Sequence, residues 1–198
     1  MTHDNLAGLY AGGAARLDPS ALADAGLDPQ ACTWLSDPGM PVRPQPAIPL
    51  IEFVKPAMRK FGDGAGLVIA REPWADELWL VVLPDGRVMT AGQGEAHVFV
   101  NTRIENFLHF LAAFQHFQTL ASRADGAPRV YTQAEVQARL EALQRGDIRP
   151  RQGAEDVAFD RAEALRQLER AWRGRDAAAL ERGSWWSRID EQLRDGLL

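Results

Sequence analysis

The four histidines are the first candidates for chemistry, because imidazole binds metal ions and transfers protons near neutral pH. They are His3, His97, His109 and His116. His109 and His116 lie seven residues apart on one predicted helix, which separates them by about 10 Å and is too far to hold one metal ion directly. Glu105 lies four residues before His109 and could share an ion with it, but the sequence offers no third ligand. We therefore expect no metal site.

The sequence gives equally little evidence for a catalytic nucleophile or a phosphate-binding loop. Cys32 is the only cysteine, and its setting, "QACTWL", is typical of a helix face. The glycine-rich "GDGAGL" lacks the spacing of a phosphate loop and precedes a predicted strand, so it indicates a turn. His97 has no nucleophile beside it in the sequence, and no Gly-x-Ser-x-Gly elbow is present. We expect no catalytic residues and no cofactor.

The loop "REPWADELW" is the most suggestive polar segment. It places Glu72, Asp76 and Glu77 around Trp74. Binding surfaces favour an aromatic anchor with polar surroundings, and three acids suit a basic partner. The alternative is that Trp74 folds inward onto the sheet and the acids only keep the loop soluble. These four residues are the predicted partner-binding site.

Composition narrows the class of protein. The chain has 198 residues, a net charge of −5, a pI of about 5.4 and 46% apolar residues, as in an ordinary globular protein. The acidic balance argues against direct binding of nucleic acid and permits a basic protein partner. No segment approaches the roughly 20 apolar residues of a membrane span, and "MTHDNLAGLYAGG" lacks the basic start of a secretory signal. We expect a cytoplasmic protein that does not contact the membrane.

Strand patterns precede helix patterns along the chain. Short helices are predicted over 18–35, with Asp18 and Asp28 as caps before prolines. Apolar runs at 50–54, 67–71, 78–83, 87–90 and 98–100 predict strands, and Pro84-Asp85-Gly86 predicts a tight hairpin turn. This order indicates an α+β fold with a central, mostly antiparallel sheet flanked by helices and a helical C-terminal region.

"VFVNTRIENFLHFLAAFQHF", residues 98–117, predicts a strand followed by a core helix. Thr102-x-x-Glu105 fits a capping box, in which a hydroxyl and a carboxylate bind free amides of the first turn. An apolar stripe at helical spacing follows, formed by Ile104, Phe107, Leu108, Leu111 and Phe114. So much apolar surface predicts a helix packed deep against the sheet.

The last third of the sequence is predicted to be helical. Thr132-x-x-Glu135 fits a second capping box, "FDRAEALRQLERAWRGRD" has the period of a helix, and Ser184 precedes a tryptophan-led final helix. We predict one domain over 1–198, with an α/β core at 1–123 and a helical part at 131–198 packing on it.

Four motifs, in this order, resemble the SUKH superfamily and its fourth group of immunity proteins. The first is a Leu-x-x-x-Gly-x-Pro loop, and the second is a hairpin leading to Gly-x-Val. The third is the strand–helix junction, and the fourth is a last helix ending in acidic-Gly-Leu-Leu. The matching residues are Leu35, Gly39, Pro41; Gly86, Val88; Phe99, Val100, Asn101, Thr102, Phe107, Leu108; and Asp195, Gly196, Leu197, Leu198.

The resemblance covers most of 30–198 and implies a mixed α+β immunity protein from a bacterial polymorphic toxin system. Such a protein binds a cognate protein toxin and blocks it, and a basic nuclease-type domain is one candidate for that toxin. The resemblance implies a binding module and carries over no catalytic residues. Two alternatives remain open: a general interaction or regulatory scaffold of the same fold, and an enzyme whose site is assembled from distant residues.

Overall fold

Two antiparallel sheets organise the computed structural model, which describes residues 6–62, 64–75, 77–92, 97–124 and 159–198. Strands β1 (Ala14–Ala15) and β2 (Met40–Pro41) form the smaller sheet. The larger sheet is a meander in sequence order, formed by β3 (Glu52–Phe61), β4 (Gly64–Arg71), β5 (Trp79–Val82), β6 (Val88–Ala91) and β7 (Phe99–Asn101). The predicted α+β class with a mostly antiparallel sheet is confirmed.

Five α-helices complete the described part of the chain. They are α1 (Pro19–Asp24), α2 (Pro29–Ser36), α3 (Ile104–Ala124), α4 (Arg161–Arg175) and α5 (Trp185–Arg194). A 3₁₀ turn at Ala177–Leu180 joins the last two. None of these helices has the length and apolar character that a membrane crossing requires.

Local sequence signals fix several of these elements. The Asp18 carboxylate accepts from the Ser20 amide at 2.8 Å, and the Asp28 carboxylate accepts from the Gln30 amide at 3.0 Å. Ser184 accepts from the amide of Ser187 and begins α5. The predicted caps are confirmed, because each satisfies an amide that the first turn leaves without a helical partner.

Helix α3 covers one face of the large sheet. Its side chains Phe107, Phe110, Leu111 and Phe114 are completely buried, in one cluster with apolar residues of β4, β5, β6 and β7. The predicted core helix is confirmed. The same cluster contains residues from Leu6 to Leu193, so the N-terminal segment and the final helices share this core.

An aromatic cluster joins the final helices to α3. The Trp172 ring stacks on Phe110 with centroids 5.4 Å apart, and Trp186 lies 4.9 Å from Trp172. The indole N–H of Trp172 donates to the carbonyl of Phe110 at 3.1 Å, so its polar atom is satisfied inside the core. The division at 123 and 131 stays a prediction, and the helix predicted from Thr132 and Glu135 lies outside the described residues.

The first hairpin is longer than the sequence predicts. Strand β3 continues to Phe61 and β4 begins at Gly64, whereas the apolar runs stop at 54 and start at 67. The extra segment, "KPAMRKF", is charged and contains Pro56, so it lacks the composition of a strand. A register shift between Phe53 and Ala57 accommodates this proline, which has no N–H to donate.

Candidate protein-binding surface

The loop between β4 and β5 carries the predicted partner-binding residues. The amide of Glu72 donates to the carbonyl of Leu78 at 3.1 Å, which closes the loop at its base. Trp74 is 58% exposed, and Glu77 is exposed as well. Asp76 lies outside the described residues. The structure therefore places the aromatic anchor of the predicted site at the surface, with Glu77 beside it in the loop.

Glu72 differs from the rest of this loop because its side chain is buried. Its carboxylate accepts a hydrogen bond of 2.5 Å from the indole N–H of Trp185, at the start of α5. A buried indole needs an acceptor, and Glu72 supplies it across 113 positions of sequence. Glu72 thus holds the base of the loop against the C-terminal helix, and its carboxylate is turned away from a surface partner.

Glu72→Leu is expected to destabilise the fold by about 1–3 kcal/mol, because the Trp185 indole would lose its only described acceptor. Glu72→Gln keeps an acceptor of the same reach and is the matched control, so it should lose much less. Urea denaturation of both variants checks this. Equal stability of the leucine and glutamine variants would contradict the role assigned to Glu72.

The candidate metal ligands serve other purposes. Glu105 forms an ion pair with Arg175 and accepts from the side-chain amide Nε2 of Gln30 at 3.3 Å. His109 packs edge-on against Trp34, with ring centroids 6.2 Å apart, whereas His97 and His116 are exposed. No group of three metal-binding side chains occurs among the residues that the structure describes. His3 lies outside them.

Cys32 and the glycine-rich segment also have structural surroundings. Cys32 is half-buried against the core, and its sulfur lies 3.5 Å from the carbonyl oxygen of Leu27. "GDGAGL" leads from β3 into β4, with Gly62 at a φ of +58° in the turn. That left-handed geometry favours glycine and explains its place in the hairpin.

The junction between β7 and α3 contains a buried network that the sequence did not reveal. The Asp176 carboxylate accepts from the side-chain amide of Asn101 at 3.1 Å and from the backbone amide and hydroxyl of Thr102 at 2.8 and 3.0 Å. Asn101 in turn accepts from the indole N–H of Trp186 at 2.8 Å. Asp176 and Asn101 are both buried. The network fastens the end of α4 and the start of α5 to the sheet.

The capping box predicted for α3 is replaced by these contacts. The Thr102 hydroxyl donates to Asp176, and Glu105 turns outward to Arg175. The Thr102 backbone amide, which Glu105 would accept from in a capping box, donates to Asp176 instead, and Glu105 is held away by its ion pair with Arg175. The prediction of a Thr102–Glu105 capping box was therefore wrong, although the start of the helix was predicted correctly.

Four described side chains have displaced pKa values, and two of them, Glu169 and Asp190, share an ion pair with Arg194. The Arg166 hydrogen bond lowers the pKa of Glu163 to about 2, and the Arg173 hydrogen bond lowers the pKa of Glu169. Burial raises the pKa values of Tyr10 and Asp190 above their usual ranges. None of these four side chains lines a larger groove between described residues. Ion pairs with arginine and burial account for these four shifts, as structural ion-pair networks also displace pKa values.

A family model for SUKH-4 immunity proteins matches residues 1–195. The chain belongs to the SUKH-4 immunity protein family. The match includes the first 30 residues, which the sequence resemblance did not cover, and it agrees with the burial of Leu6, Leu9, Leu22 and Leu27 in the shared core. No curated protein and no solved structure gave a significant match.

Residues of two of the four motifs, Gly39 in the first and Asn101 and Thr102 in the third, make contacts that connect separate elements of the fold. Gly39, in the loop motif, has a φ of +90°, and a Cβ atom there would lie 2.6 Å from the carbonyl oxygen of Ala15. Its own carbonyl accepts from the Tyr10 hydroxyl at 2.8 Å. Asn101 and Thr102 belong to the buried network around Asp176. These motif residues maintain the scaffold, and the exposed Trp74 loop is separate from them.

Proposed function

We propose that this SUKH-4 protein binds a cognate bacterial protein toxin and neutralises it without catalysis. The observation that carries the proposal is the family match over residues 1–195. The contacts of the described side chains support it. Cys32 contacts the carbonyl oxygen of Leu27, Glu105 pairs with Arg175, and Glu163 pairs with Arg166. We place this interaction in the cytoplasm of the cell that produces the toxin or of its kin.

We propose the loop 71–77 as the contact surface. Loops on a fixed scaffold can vary while the fold is kept, which suits proteins that meet variable toxins. Trp74 supplies a large exposed aromatic surface, and the Glu72–Trp185 hydrogen bond holds the base of its loop. A loop that is ordered before binding loses less entropy when the complex forms. Glu77 favours a basic partner, such as a nuclease-type toxin with a cationic substrate groove.

Growth protection tests the function itself. The toxin domain encoded beside this chain would be expressed alone and together with it, in a host that carries neither gene. Alone, the toxin domain is expected to stop growth, and co-expression is expected to restore it. Unchanged killing despite soluble expression of both proteins would contradict the proposal and favour a general scaffold or regulatory protein of the same fold.

Trp74→Ala is expected to weaken toxin binding by about 2 kcal/mol, or roughly thirtyfold in Kd, because the alanine variant has no indole for the toxin to bury. The fold should be unaffected. Calorimetric titration measures Kd, and thermal unfolding checks the fold. Leu197→Ala is the matched control, because Leu197 is also an exposed apolar side chain, at 73%. Equal affinity of the Trp74 variant would exclude this loop and make the proline-rich loop 36–48 the next candidate.

A further inference from the structure

The outer end of the β3–β4 hairpin extends past the rest of the sheet. Arg59 pairs with Gly66 and Phe61 pairs with Gly64, whereas pairing of β4 with β5 begins only at Leu67. Strand β3 is also the first strand in the sheet order, so its outer backbone edge faces no other strand of the described chain. Residues 59–61 and 64–66 therefore form a two-stranded ribbon, and such a ribbon is marginally stable unless something packs or pairs with it.

This ribbon is positively charged in an acidic protein. Residues 53–66 contain three cations, Lys55, Arg59 and Lys60, and one acid, Asp63. Lys55 and Lys60 are the only lysines of the chain. All three cations are exposed, and neither lysine forms an ion pair with any residue in the described ranges. The local charge of +2, three cations minus one acid, contrasts with the net charge of −5 for the whole protein.

Apolar surface lies between these cations. Met58 is 41% exposed, and Phe61 is half-buried on a second, small cluster with Val68 and Val81. The Arg59 guanidinium lies 4.4 Å from the centre of the Trp79 ring, which packs on the same cluster. The α3 core covers the opposite face of the sheet. The ribbon thus offers an open backbone edge, apolar contacts and cations in one place.

We propose that the free edge of β3, over 57–61, receives an extended acidic segment of a partner protein as an added strand. Backbone hydrogen bonds along an open edge supply affinity, and alternate side chains supply selectivity. Carboxylates on one face of the segment would lie near Arg59, and carboxylates on its other face would lie near Lys60, because successive side chains of a strand alternate between faces. A second copy of this chain fits poorly, because pairing β3 with itself brings these cations against the same cations. This inference goes beyond the Trp74 loop and does not depend on it.

Charge on an edge strand also protects it from unwanted pairing. Protection alone makes a different prediction: the edge would reject every added strand, acidic or basic. The test therefore needs a probe that separates attraction of charge from addition of a strand. A backbone-methylated peptide does so, because methyl groups remove the amides that extend a sheet and leave the carboxylates unchanged.

The probe is a synthetic peptide of about seven residues, the length of an ordinary strand, in which glutamate alternates with valine and threonine. Hydrogen exchange and calorimetric titration are measured on the full chain at low salt. We expect binding, with roughly two or three further amides protected in 55–62, since alternate amides of an edge strand point outward. The lysine version and a version N-methylated at every peptide bond, which has no backbone donor on either edge, should bind at least about tenfold more weakly.

Variants locate the site on the protein. The double variant Lys55→Gln, Lys60→Gln should weaken binding of the glutamate peptide about tenfold. The double variant Arg182→Gln, Arg188→Gln removes two exposed cations elsewhere and should leave this binding unchanged. Three results would overturn the proposal. The first is that the glutamate peptide does not bind, and the second is that its methylated version binds equally well. The third is that the outward amides of β3 already exchange hydrogen slowly in the free protein. Tighter binding of a charge-matched oligothymidylate would also overturn it, in favour of a nucleic-acid surface.

Discussion

Phe107→Ala or Phe114→Ala is expected to cost about 3–5 kcal/mol of unfolding free energy. Both side chains are completely buried between the sheet and the final helices, and alanine would leave a cavity that the packed core cannot fill. A domain of this size has about 5–15 kcal/mol of stability in total, so either variant should lose a large fraction of it.

Urea denaturation followed by circular dichroism measures this loss. His116→Ala is the matched control, because His116 is an exposed position on the same helix, and it should change stability by no more than about 0.5 kcal/mol. A loss below about 1 kcal/mol for both phenylalanine variants would contradict the buried stripe of α3.

Asp176→Ala is the second large effect, with an expected cost of about 3 kcal/mol or more. The substitution removes the acceptor of the buried Asn101 side-chain amide and of both donors of the half-buried Thr102. Each buried donor left without a partner costs about 1–3 kcal/mol. The junction of β7 with α3 should then loosen together with the start of α5.

Asp176→Asn is the matched control for this carboxylate. The asparagine side chain has the same shape and keeps one oxygen that accepts hydrogen bonds. Its NH₂ group, however, adds two donors beside the Asn101 and Thr102 donors, which need an acceptor. Its stability should therefore fall between those of the parent protein and the alanine variant. Guanidinium denaturation gives the order, and an alanine variant as stable as the parent would contradict the assigned network.

Several parts of the fold could be predicted because their causes are local. Asp18 and Asp28 precede prolines and cap the first helices, and Ser184 caps the last. Gly86, at a φ of +85°, donates from its amide to the carbonyl of Leu83 in the predicted hairpin turn. The apolar period of α3 predicted its burial correctly. Each of these signals lies within one turn of the chain or one helix face.

The contacts that join distant segments could not be predicted in this way. Asp176 lies about 75 positions from Asn101 and Thr102, and Glu72 lies 113 positions from Trp185. A single sequence does not show which buried donor a given carboxylate will meet. Glu72 therefore looked like one of three equivalent loop acids, although the start of α5 fixes it inside.

The most direct test of toxin neutralisation uses two purified proteins, this chain and the toxin domain encoded beside it. Calorimetric titration and an assay of the toxin's own activity are run on the same samples. We expect a stoichiometric complex whose formation abolishes toxin activity, with both effects weakened together by Trp74→Ala. Full toxin activity in the presence of excess, correctly folded chain would contradict the account.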